Sequence, residues 1–440
     1  MTTTLDAPAA RGGSSGAFVS LSIMMFLEFF IWGAWYVTMS TFMTEAGIAS
    51  KIGLAYMLCP IAAIISPFFL GMVADRFFAS ERVLGALQIV GGLAMFLVPG
   101  AARQGAWPFL AVILIHALCY MPTLGLTNTI AFANMTNQEK QFPMIRVFGT
   151  LGWIVAGLII SFLGVDKTAT PFLLAGGASI VMGVFSFMLP HTPPPAKGKA
   201  ASVRDVLGAD ALALFRSPSF TVFAIASFLI CIPLAAYYSY AGRLTGDLLS
   251  VLRAPGESLP IAATMSVGQG AEVLFMLLMP LFFARLGVKW MLAVGMLSWV
   301  VRYALFAVGA PNAVFSLIVL GIALHGMCYD FFFVTGFIYT DKRAGAQIRG
   351  QAQGLLVLIT QGLGLGIGAY LTGELFNRTV GSATGQAALS LYPRFWWACA
   401  VFAVIVLIVF VLLFRDDSKD PVEEPRGFET ITEPAQTGAV

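Results

Sequence analysis

Trp396-Trp397-Ala398-Cys399-Ala400-Val401-Phe402-Ala403-Val404-Ile405-Val406-Leu407-Ile408-Val409-Phe410-Val411-Leu412-Leu413-Phe414 runs for nineteen residues without a charged side chain. At 1.5 Å per residue a helix of that length crosses the ~30 Å hydrocarbon layer of a bilayer. Barrel strands alternate apolar and polar positions over about ten residues, so an unbroken run of this kind reads as a membrane helix. Outward from it the pattern repeats. The chain is 58% hydrophobic and 11% charged, against about 45–50% and about 25% for an average soluble domain.

Twelve blocks of this length are expected. They lie at 18–43, 52–74, 83–100, 108–134, 145–164 and 171–190, then at 220–242, 260–284, 289–309, 313–340, 350–376 and 394–414. A polar segment from His191 to Pro218, with Pro193-Pro194-Pro195, Lys197, Lys199 and Arg204, separates the two sets. The expected fold is therefore all-α and membrane-embedded, with twelve transmembrane helices in two six-helix halves. Its parts are a tail over 1–17, a first half over 18–190, a central loop over 191–219, a second half over 220–414 and a tail over 415–440.

Lys and Arg concentrate on one side of these spans, at Arg11, Arg76, Arg82, Lys140, the central loop, Arg285, Lys289, Lys342, Arg343, Arg349 and Arg415. Lys51, Arg103, Lys167, Arg243, Arg253, Arg378 and Arg394 fall on the other. Positive charge is retained in the cytoplasm, which predicts cytoplasmic termini and an inner-membrane location. The N-terminal tail lacks the charged start and short apolar core of a cleavable signal peptide. The net charge of +3 is scattered, so no nucleic-acid partner is implied. The five cysteines all fall in apolar blocks without metal spacing and read as small core residues. No cofactor is expected.

An ionisable residue at mid-bilayer costs about 2.5–3.5 kcal/mol on insertion scales, so those inside spans are the place to look for function. They are Glu28, His116, Arg146, Glu272, His325 and Asp330; Arg302 and Glu374 lie nearer span ends, where a long side chain can snorkel. Arg146, Thr150 and Trp153 stand at i, i+4 and i+7, one helix face carrying a cation, a hydroxyl and an aromatic plate. Gln269 and Glu272, at i and i+3, put an amide and a carboxylate on another face. His325, Tyr329 and Asp330 precede an aromatic run from Phe331 to Phe333. Such groups also have structural uses, as interhelical ion pairs or hydrogen-bonding glue.

An Asp in an apolar aromatic setting favours its neutral form, and an approaching cation such as Arg146 favours the charged one. An Asp330 that alternates between such settings carries a proton, with Glu272 a second candidate. No Gly-x-x-x-x-Gly-Lys-Ser/Thr loop is present, so proton-coupled symport is the economical mechanism. Neither a nucleophile–base pair nor a metal-spaced cluster suggests an enzyme.

Two resemblances refine this. Gly71-Met72-Val73-Ala74-Asp75-Arg76 resembles the acidic-basic loop motif of the major facilitator superfamily, with Arg285-Leu286-Gly287-Val288-Lys289 a degenerate counterpart. It implies two halves rocking about a central site, with Asp75 and Arg76 latching helix ends in one state; ordinary solvated loop charges are the alternative. Tyr120-Met121-Pro122-Thr123-Leu124-Gly125-Leu126-Thr127-Asn128 and Phe142-Pro143-Met144-Ile145-Arg146-Val147-Phe148-Gly149-Thr150-Leu151-Gly152 resemble signature stretches of the bacterial nucleoside:proton symporters. Trp32-Gly33-Ala34-Trp35, Leu189-Pro190-His191, Asp330-Phe331-Phe332 and Ala352-Gln353-Gly354 match as well, so the likeness runs from about 20 to 415.

That resemblance implies uptake of nucleosides with protons by a functional monomer. The implied site is Arg146, Thr150 and Trp153, where relatives carry Phe at the last position, with Gln269, Glu272, Tyr329 and Asp330. Ribose hydroxyls suit Gln269 and Glu272, and a planar base suits stacking on Trp153 or Tyr329. The chain departs from the family where amides are usual in span seven, with Ala235 and Tyr238, and where His325 replaces an aromatic hydroxyl. A carrier for a sugar or purine-like metabolite on the same scaffold is the alternative, because fold does not fix substrate. A non-transporting membrane sensor is a second, disfavoured by the short acidic C-terminal tail.

Overall fold

The computed structural model describes residues 15–69, 77–136, 138–194 and 209–418. Within them ten helices are long and apolar enough to cross a membrane. In chain order the helices are α1 (Gly16–Glu45), α2 (Ala49–Ser66), α3 (Ser80–Gln104), α4 (Ala106–Asn134), α5 (Met144–Phe162), the shorter α6 (Thr170–Ser186) and α7 (Pro218–Leu252). The helical segment Ile261–Gly309 is long enough for two passes. Gly287 divides it, with φ 65° and ψ −178°, a conformation that favours glycine and ends an α-helix. It supplies α8 (261–286) and α9 (288–309). Then come α10 (Phe315–Ala344), α11 (Ile348–Thr379) and α12 (Gly385–Leu413). The twelve spans form two sets of six, an all-α fold of the major facilitator type.

Several helices outrun their expected limits. α7 continues to Leu252, ten residues past the expected end, and α12 begins at Gly385, ahead of 394. Arg243, expected in an external loop, consequently lies inside α7 and is 1% exposed. Its Nη2 donates to the carbonyls of Gly381 and Ala383 at 3.1 and 2.8 Å. Arg302 departs further, because it does not snorkel. It is fully buried, with Nε donating to Gly321 O at 3.1 Å and its guanidinium 4.1 Å from the centre of the Tyr237 ring. Apolar flanks identical to those of a span end hid it in the sequence. Asp75 and Arg76 lie outside the described residues.

Inside the first half α1 packs on α5 and α6, and α3 on α4 and α6; inside the second, α7 packs on α11 and α12, and α9 on α12. Between halves, α2 meets α11, α5 meets the start of α8, and α7 meets the α1 end. A side-chain carbon on Gly53 would come 2.7 Å from the Gly373 Cα, so α2 and α11 approach backbone to backbone. Asp166, after α5, accepts the Ala262 N–H at 2.8 Å, and the Ser161 hydroxyl accepts the Ala263 N–H at 2.9 Å. A first-half carboxylate thereby caps a second-half helix start. Asn377 Nδ2 donates across the same seam to Ser50 O at 3.0 Å. All of these contacts gather at the end bearing Lys51, Lys167 and Arg253.

Candidate functional site

Between the halves lies a cavity in which water-sized spheres can be centred over about 150 Å³. One ordered water needs only about 10–15 Å³, so the space suits a ligand on the order of ten waters in size. Its wall combines Phe29, Trp32 and Tyr36 of α1 with Arg146, Thr150 and Trp153 of α5. The second half supplies Tyr238 of α7, Gln269 and Glu272 of α8, His325 and Tyr329 of α10, and Gln361 and Leu365 of α11. The six residues expected to bind substrate, separated by up to 183 positions in sequence (329 − 146), thus face one space.

Aromatic rings frame it. Trp32 makes edge contacts with Trp153 at 5.6 Å and with Tyr36 at 5.6 Å, and Tyr36 reaches Tyr238 of the other half at 6.2 Å. Offset and edge-on rings at such separations leave faces free for a flat ligand. The Arg146 guanidinium lies 4.0 Å from the Phe29 ring centre, a cation–π contact. Among the described residues neither Arg146 nor Glu272 forms an ion pair, although both line the cavity. Among the described residues the Gln269 Oε1, which is buried, has no partner. Hydrogen-bonding groups left open in this way are what a polar ligand replaces water to reach.

His325 stacks on Tyr237 at 5.2 Å, and Arg302 sits on the Tyr237 ring, so a buried cation stands behind this part of the wall. Asp330 is adjacent in sequence to Tyr329 but does not line the cavity. It opens a π-helical turn, Asp330–Val334, is fully buried, and among the described residues has no hydrogen-bond partner for either carboxylate oxygen. Single π-turns inside α-helices recur at functional positions. The carboxylate therefore sits behind the wall, next to a residue that forms it.

Two other polar residues serve packing. Glu28 Oε2 accepts from Gln88 Nε2 at 2.9 Å, Oε1 accepts from the Thr123 hydroxyl, and the Glu28 carbonyl accepts from Tyr120 at 2.6 Å. His116 Nδ1 lies 3.0 Å from Gly91 O. Among the lining residues, Phe29 and Gln361 escape a search for charges in spans, as do Trp32, Tyr36 and Leu365. The spacing of Phe29, Trp32 and Tyr36, at i, i+3 and i+7, was the available signal.

A family model described as nucleoside H+ symporter matches residues 16–419. YegT of Escherichia coli (strain K12), which carries the name of a nucleoside transporter, is 40% identical over 91% of this chain and 94% of its own. The xanthosine permease of the same organism is 30% identical over 90% and 95%. The crystal structure of the nucleoside transporter NupG superposes with a TM-score of 0.80 at 29% identity, covering 91% of this chain and 99% of that one. With twelve spans, a cavity between the halves and a family match over nearly its whole length, this chain belongs to the nucleoside H+ symporters.

Proposed function

We propose that this protein takes up nucleosides with protons across the cytoplasmic membrane by alternating access, and that the cavity between the halves is the substrate site. The observation that carries the reading is the company kept there. Arg146, Thr150 and Trp153 from one half, and Gln269, Glu272 and Tyr329 from the other, present unengaged polar groups and aromatic faces to one space. A ligand touching both stripes ties its binding to their relative motion, which alternating access requires. In this reading Gln269 and Glu272 take the ribose hydroxyls, Trp153 and Tyr329 flank the base, and Arg146 with Thr150 supplies donors from the first half.

Asp330 is the proton carrier of the proposal and Glu272 couples it to the ligand. An ionised carboxylate at the site of Asp330 has no donor to compensate its lost hydration, so its charge state responds to small rearrangements of α10. The contacts of Asp166, Ser161 and Asn377 then form the external gate, closed here, with the termini and the central loop in the cytoplasm. The expected tails, halves and loop, 1–17, 18–190, 191–219, 220–414 and 415–440, are the working division of the chain. Asp75 and Arg76 remain the proposed cytoplasmic latch, and the monomer the proposed unit.

The test is uptake of labelled nucleosides, free bases and sugars into vesicles with an imposed pH gradient. Accumulation of a nucleoside that collapses when the gradient is removed is expected. Accumulation of a sugar or a free base instead would overturn the substrate assignment, and gradient-independent accumulation would overturn the coupling.

A further inference from the structure

Gln361 is a carboxamide in the middle of an apolar span. Among the described residues it has no hydrogen-bond partner in the protein, and it lines the cavity. Two other glutamines inside the helices, Gln88 and Gln353, are engaged through their amide nitrogens. Gln88 Nε2 donates to Glu28 and to Thr123, at 2.9 and 3.2 Å, and Gln353 Nε2 donates to the Phe337 carbonyl at 2.9 Å. The neighbouring Thr360 closes its hydroxyl on Leu356 O at 2.7 Å. Half-buried and opening onto a ligand-sized space, the Gln361 carboxamide is free to hydrogen-bond whatever enters there.

The backbone brings it there. Residues Leu358–Gly364 form a π-helical turn, the second in this half after the one at Asp330. Gly362 and Gly364 let the turn wedge between α2 and α7. A side-chain carbon on Gly362 would come 2.7 Å from Ile64 Cγ1, and one on Gly364 would come 2.7 Å from Cys231 Cβ. Gln361 therefore enters the cavity at the seam between the halves. α7 itself contributes only Tyr238 to the wall, because Ala235 is 2% exposed and turned against Gly368 of α11.

We propose that Gln361 is a base-reading residue, its carboxamide hydrogen-bonding the edge of the nucleobase. This rests on the nucleoside reading of the cavity. A carboxamide offers a donor and an acceptor side by side, the complement of the adjacent acceptor and donor on a nucleobase edge. Gln269 and Glu272 lie together on α8, one turn apart, and suit the two hydroxyls of a sugar, whereas Gln361 enters from a different helix. A ligand with a polar group at each end fits that division, and a nucleoside is such a ligand.

The purified full chain is titrated with adenosine, uridine and purine riboside by calorimetry, alongside Gln361→Ala and Gln361→Glu, with thermal melting of each. Gln361→Ala should lower adenosine and uridine affinity roughly five- to tenfold, the value of one or two hydrogen bonds, and purine riboside, which lacks the exocyclic group, by less. Gln361→Glu keeps the size of the side chain but only accepts, so it should cost purine riboside, whose base offers only acceptors, more than adenosine or uridine, whose amino group and ring N3–H donate, the reverse of the order in Gln361→Ala. That change of order is the decisive readout, since a loosened α11 would weaken all three alike. Uniform losses, or unchanged affinities, overturn the assignment to Gln361 while leaving the nucleoside site in place. A parent protein that binds none of the three overturns the nucleoside reading itself, and Gln361 with it.

Discussion

Glu28 in α1 and Asp330 in α10 are both fully buried carboxylates, one in each half, and their surroundings differ completely. Both oxygens of Glu28 accept a hydrogen bond, from Gln88 and Thr123, and Ser179 closes the far side of Gln88. The three helices α1, α3 and α4 are tied through it, and α6 joins through Ser179. Asp330 has no partner on either oxygen among the described residues. Arg302, also in the second half, leaves both Nη atoms without a hydrogen-bond partner among the described residues. A satisfied polar network specifies one packing, while an unsatisfied group costs free energy wherever it sits and is removable by proton binding or movement. Glu28 is held in a fixed frame, whereas Asp330 keeps an environment that can change.

The sharpest way to break this contrast is Asp330→Asn. It is isosteric and cannot exchange a proton, so accumulation of nucleoside against a gradient should be lost entirely in vesicles with an imposed pH difference. A variant that still concentrates substrate with the parent's pH dependence would move the proton to Glu272 or to Glu28, and would show that hydrogen-bond satisfaction does not separate frame from machinery.

Glu272 stands between the two extremes, open to the cavity and without an ion pair. Glu272→Gln preserves shape but weakens charge-assisted hydrogen bonds of about 1.5–3 kcal/mol each, so nucleoside affinity should fall roughly ten- to a hundredfold. A 3′-deoxynucleoside should lose less in the variant than in the parent's comparison with the full sugar. Calorimetry on both proteins with both ligands gives the coupling directly, and unchanged affinity would assign Glu272 to the scaffold.

The smallest effect on transport belongs to Glu28→Gln. With the new NH₂ group toward Thr123, whose hydroxyl can accept while it donates to the Tyr120 carbonyl, the network rearranges by about one hydrogen bond, which should lower stability by about 1 kcal/mol. Uptake per folded molecule should stay within about twofold, by the reasoning that a frame residue alters stability before rate. Thermal melting and vesicle uptake on the same preparation separate the two. A stable variant with abolished proton dependence would make Glu28 part of the machinery and erase the distinction between the two carboxylates.

How far the residues alone carry this is visible in particular places. The run from Trp396 to Phe414 and its eleven companions specify membrane helices because hydrocarbon leaves the backbone no partner but itself. The stripe Arg146, Thr150 and Trp153 was legible because helical periodicity places i, i+4 and i+7 together without any tertiary information. The same holds for Gln269 and Glu272. What lay across from each stripe was not legible, since it depends on packing between residues more than a hundred positions apart.

Only the tertiary structure separated Glu28 from Asp330, because a carboxylate in an apolar run looks the same whether or not another helix brings it a donor. Only the tertiary structure buried Arg302 under Tyr237 and set Gln361 at the seam, since π-turns and ring stacking follow from how neighbouring helices fit. Composition and periodicity determined that this chain spans a membrane and which faces are polar. The contacts between helices decided which polar groups are satisfied and which are left open.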